Sequence, residues 1–137
     1  MSDKIVKYAL FDERLLGLGV LTTPTLDVRS AKNIQGLRIK ATSVINQSLV
    51  DFKVDMAVSD YIAPPNQPVF VTAPVEDFDA FTTSILDHWN TTANPTDWQN
   101  LPMPAPLAPF IQIRFTGLST NPVDTVITVK LIVQESV

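Results

Sequence analysis

The chain offers few residues with which to do covalent chemistry. Histidine occurs once, at His88, between Asp87 and Trp89, and cysteine is absent. Without Cys there is no disulfide framework, thiolate zinc site or thiol nucleophile. A hydrolase built on His88 stays open because triad partners can be distant in sequence, but the local spacing matches no nucleophile elbow or oxyanion loop. The competing reading of His88 is a surface or helix-end histidine. Glu76 with Asp77-Phe78-Asp79 is the densest acidic cluster. It lacks the Asp-x-Asp-x-Asp-Gly calcium loop, and capping of a following helix accounts for it. Gly17-Leu18-Gly19 lacks the third glycine and the lysine of phosphate loops. No catalytic, metal or cofactor residue is assigned, and the expectation is a protein that is not an enzyme.

Binding chemistry is better represented. Trp89 and Trp98, with Tyr61, could form a platform for sugar rings; the alternative is that both tryptophans are partly buried. Leu15, Leu16, Leu18 and Val20 make an apolar N-terminal segment too short to cross a membrane and too rich in glycine for a good helix. It reads as a core or edge strand, or as an arm laid on a neighbouring subunit. Phe110, Val126 and Ile132 fall on the polar side of otherwise alternating strands. They need cover from the chain itself or from a second subunit.

These residues must be positioned by strands. Ten basic and fourteen acidic residues give a net charge of -4, and eleven prolines accompany many Thr and Val. That composition favours strands and ordered loops over helices. The charge disfavours nucleic acid as a partner. No apolar run approaches a membrane span and no signal peptide is visible, so a soluble protein not secreted by the standard route is expected. A length of 137 residues suits one core. The expected division is an arm or edge strand over 1–21 and a single β-sandwich domain over 22–137.

The period-two pattern is clearest in the last quarter. Ile111, Ile113 and Phe115 alternate with Gln112, Arg114 and Thr116; Ile127, Val129, Leu131 and Val133 alternate with Thr128, Lys130 and Gln134. These two runs read as a closing hairpin. Leu37, Ile39 and Ala41, and then Val50, Phe52, Val54, Met56 and Val58, read as two more strands. If those pair as a hairpin, Arg38 and Lys40 share a solvent face with Asp51 and Asp55. Phe78, Phe81, Ile85 and Trp89 recur at offsets of 3, 4 and 4, which predicts one short helix near 77–89. Pro102 to Pro109 reads as an extended polyproline crossover. The expected fold is all-β, an antiparallel sandwich of jelly-roll-like form with that single helix.

The order Leu26-Asp27-Val28, Asn33-Ile34-Gln35-Gly36-Leu37-Arg38-Ile39, Phe52-Lys53-Val54-Asp55-Met56, an insertion with tryptophan, then Phe110-Ile111-Gln112-Ile113-Arg114-Phe115-Thr116-Gly117 and a last strand resembles a known pattern. It is similar to the small β-sandwich modules of tailed-bacteriophage virions, found among capsid decoration proteins, head fibres and tail or baseplate proteins. The resemblance runs from about Thr22 to Val137. It departs where such modules often place a Gly-rich turn and this chain has Pro64-Pro65. The resemblance implies a virion structural part, assembled in the host cytoplasm, that binds capsid or other virion proteins as a homo-oligomer or as lattice-bound copies. A receptor- or carbohydrate-binding module of a tail or head fibre is the alternative it allows.

Overall fold

The computed structural model describes residues 3–28, 31–46, 49–59, 78, 81, 83–89, 98–103 and 110–136. Among them lie nine strands and no helix: β1 (Asp3–Leu15), β2 (Val20–Thr22), β3 (Leu26–Asp27), β4 (Ala31–Thr42), β5 (Phe52–Ser59), β6 (Thr83–Leu86), β7 (Gln99–Leu101), β8 (Phe110–Gly117) and β9 (Val126–Ser136). They form two antiparallel sheets. The first has the order β1-β9-β4-β7; the second has β2-β8-β5-β6, with β3 also paired to β8.

Alternation places the core between the sheets. Leu37, Ile39 and Ala41 of β4 and Ile127, Val129, Leu131 and Val133 of β9 are buried from the first sheet. Phe52, Val54 and Met56 of β5 and Ile111, Ile113 and Phe115 of β8 meet them from the second. An aromatic chain crosses the layers. Phe11 of β1 meets Phe115 edge-on at 5.7 Å, Phe115 lies 6.2 Å from Phe52, and Phe52 stacks on Trp89 at 5.0 Å. Such pairs add to the burial of large rings.

The expected closing hairpin is not a hairpin, and the condition set for β4 and β5 is not met. β8 and β9 lie in opposite sheets, as do β4 and β5, so each pair faces across the core. The reason is geometric: loops of about eight residues or more exceed the 2–5 that join hairpin strands. Inner faces that are both apolar also gain more by facing each other than by lying side by side. Arg38 and Lys40 therefore share no face with Asp51 and Asp55. Asp55 instead pairs across the second sheet with Arg114, its register partner on β8, at 2.9 Å.

The expected helix near 77–89 is also absent: Thr83–Leu86 is β6, antiparallel to β5, and Phe78 and Phe81 lie in bends. β5 would otherwise expose a row of unpaired backbone groups, and pairing them outweighs a helical spacing of four apolar residues. Trp89 is then set over Phe52, its amide donating to the Phe52 carbonyl at 2.9 Å. At the N-terminus, Asp12-Glu13-Arg14 does not break the strand. β1 continues through register shifts against β9, with Glu13 at a φ of 47°.

Phe115→Ala should destabilise the protein by about 3–5 kcal/mol, because a buried ring touching both neighbouring aromatics leaves a cavity. Urea denaturation measures it, and a loss below about 1 kcal/mol would contradict this packing.

Candidate functional site

Three connections between the sheets emerge at one end of the molecule. Leu15, Val126 and Thr42 lie in register there, so the β1–β2 turn, the β4–β5 loop and the β8–β9 loop share that end. Asn121 is buried among them. Its Nδ2 donates to the Gly17 carbonyl at 2.5 Å, and its Oδ1 accepts from the Asp51 amide at 2.8 Å and the Thr125 hydroxyl at 3.2 Å. Gly117 lets the turn close over the site: a Cβ there would stand 1.9 Å from the Gly17 carbonyl oxygen.

Asp124 organises the outer loop. It accepts from the Ser43 hydroxyl at 2.5 Å, the Val44 amide at 2.8 Å and the Ile45 amide at 3.0 Å. The Ser43 bond, with those amides, holds its carboxyl below the usual aspartate range, against burial, which acts the other way. The loop so held points apolar side chains outward, and Val44 is 98% exposed. Of nine large apolar side chains that are exposed among the described residues, Leu15, Leu18, Val20, Val44, Ile45, Leu49 and Val123 all sit on or beside these three connections.

The expected interface residues separate accordingly. Leu15, Leu18 and Val20 are exposed at this end and Val126 is half-buried, whereas Leu16, Phe110 and Ile132 are buried. Val44, Ile45, Leu49 and Val123 went unnoticed in the sequence. The adjacent apolar pair Val44-Ile45 inside an otherwise polar loop was the available signal.

His88 lies at the same end, 71% exposed, with Nδ1 3.1 Å from Asp51 Oδ1. The other Asp51 oxygen accepts from the Thr120 hydroxyl at 3.3 Å. The carboxylate therefore sits between the histidine and the hydroxyl. A nucleophilic triad needs the imidazole in that middle place. Among the described residues no group of three His, Cys, Asp or Glu is placed to hold a metal ion, and no helix is long and apolar enough to cross a membrane.

The aromatic platform also divides. Tyr61 lies outside the described residues. Trp89 is buried under Phe52, 3% exposed, and offers no face to a ligand. Trp98 is half-buried on the outer face of the first sheet, with Lys130 Nζ 5.0 Å and the Arg38 guanidinium 5.8 Å from its ring centre. Two depressions lie on that face. One, of about 260 Å³, is bounded by Trp98, Lys40, Thr42, Thr128, Asp12 and Glu13; the other, of about 420 Å³, by Lys7, Arg38, Asn100, Ile5 and Ile132. A third cleft, of about 260 Å³, opens between the sheets beside β1 and β3. At its rim Tyr8 donates to Glu135, a bond that raises the Tyr8 pKa.

Asn121→Ala should cost about 1–3 kcal/mol in urea denaturation, since it leaves buried partners unpaired. A neutral result would remove Asn121 from its central place. For Asp124 the folded pKa is depressed, so its anchoring is present above about 3.9 and is lost as pH falls through the lower folded value. The Val44 and Ile45 amide resonances should therefore titrate together below the usual aspartate range, and Asp124→Asn should abolish that titration. A midpoint at the usual value would contradict the anchor.

Comparisons with protein-family models, curated protein sequences and solved structures find no match for this chain.

Proposed function

We propose that this is a non-enzymatic structural protein of a virion, an auxiliary or decoration protein that docks its apolar end on assembled capsid protein and reinforces or bridges the subunits. The observation that carries attachment is the set of exposed apolar side chains at that end, from Leu18 on one loop to Val44, Ile45 and Val123 on the others. Scattered exposed apolar residues are ordinary, but a group gathered on neighbouring loops marks an interaction surface. The loops are braced by Asn121 and Asp124, so little ordering entropy is lost when they are covered.

The strand order supports the fold-level part of the proposal. The order β1-β9-β4-β7 in one sheet and β2/β3-β8-β5-β6 in the other, with β2 and β3 sharing one position beside β8, supports a jelly-roll reading of the sandwich. Viral capsid and lectin domains both use that architecture. The fold thus admits a virion part without specifying one, and the loops supply the docking chemistry. Repeated copies on a lattice would gain avidity from individually weak contacts.

Purified protein should co-sediment with particles assembled without it and raise their disruption temperature. Ile45→Asp with Leu18→Asp should weaken that binding by at least about tenfold while leaving the urea midpoint unchanged, because each lost apolar burial is worth about 1.5–3 kcal/mol. Failure of the unaltered protein to bind such particles would overturn the proposal.

A further inference from the structure

We infer that the outer face of the first sheet binds an acidic polysaccharide, a polymer whose sugars carry both carboxylates and free hydroxyls. This goes beyond docking through the apolar end and rests on none of its exposed apolar side chains. Four of the ten basic residues gather on this face of an acidic chain: Lys7, Arg38, Lys40 and Lys130. The register places them in three successive rows. Lys7 is beside Ile132, Lys130 is beside Arg38, and Lys40 is beside Thr128. Rows on one face of a strand are about 6.7 Å apart, so the cations span about 13 Å. Among the described residues none of the four has a carboxylate within ion-pair distance; Arg38 and Lys130 instead lie over Trp98. They are aligned for an external anion that follows the strip.

The rest of the face says what kind of anion. Asp12 and Glu13 border the depression beside Trp98, with the Thr42 and Thr128 hydroxyls. Ionised carboxylates can only accept hydrogen bonds, so an occupant there must donate. Sugar hydroxyls donate; a phosphodiester backbone has no donor and would be repelled. Trp98 completes the chemistry, since an indole ring offers an apolar surface to a pyranose while its cationic neighbours take the carboxylate.

Affinity electrophoresis of the full chain through gels containing polygalacturonate, neutral dextran or a single-stranded thymidine oligonucleotide tests this. Polygalacturonate should retard the protein and dextran should not, and the retardation should fall with added salt. Arg38→Gln with Lys130→Gln should weaken binding by about tenfold or more. Lys53→Gln, a single charge loss on the second sheet, should change it by less than about twofold, and each of Arg38→Gln and Lys130→Gln alone should weaken binding more than it does. Binding should also perturb tryptophan fluorescence in the unaltered protein and not in Trp98→Phe, because Trp89 is buried. Absence of retardation by polygalacturonate, an equal loss in Lys53→Gln, or tighter binding of the oligonucleotide would each overturn the inference.

Discussion

A buried carboxamide holds together three of the places where the chain changes sheets. The passages from β1 to β2, from β4 to β5 and from β8 to β9 each leave one sheet for the other, and Asn121 bonds to a residue of each. An amide suits the task because it offers donors and an acceptor on one short side chain. Isolated in the core it would be costly, and bonded at both its nitrogen and its oxygen it fixes how the loops stand relative to one another. The apolar end exists as a defined surface because this amide, with Asp124 beside it, leaves its loops little freedom.

The strands were more legible than their partners. Alternation in Ile111–Phe115 and Ile127–Val133 identifies inner faces because burial on one side imposes a period of two. It says nothing about which neighbour lies beside a strand. The inner face of β8 looks the same whether β9 lies next to it or across the core. Loop length decides between them, and the long segments after β4 and β8 were the usable clue. The helix expected near 77–89 fails for a related reason. Ile85 and Trp89 carry a spacing that suits a helix, but the demand of the open β5 edge for a hydrogen-bonding partner is non-local and leaves no mark on the local sequence.

Legibility of the candidate surfaces followed exposure. Leu15, Leu18 and Val20 stood out as apolar residues with no evident partner, and they are exposed. Phe110 and Ile132 raised the same question and are buried, because parity along a strand cannot tell solvent from a covered outer face. Trp89 and Trp98 are equivalent in composition, yet one packs under Phe52 while the other stands beside Lys130. Only the position of β5 relative to the chain around His88 separates them. Asn121 gave no signal at all, since an asparagine before a proline in a polar loop reads as an ordinary turn.

The irregular course of β1 bears on solubility in company. This strand forms one border of the first sheet, and a long regular border would offer its free amides and carbonyls to any identical chain nearby. The shifts after Ala9 and Phe11, with Glu13 in a left-handed conformation, twist that border out of the straight line that a second copy would need. Exposed Lys4 and Lys7 place like charges where two such borders would meet. Copies packed side by side can therefore remain separate folded units rather than extend one another's sheets into a fibre.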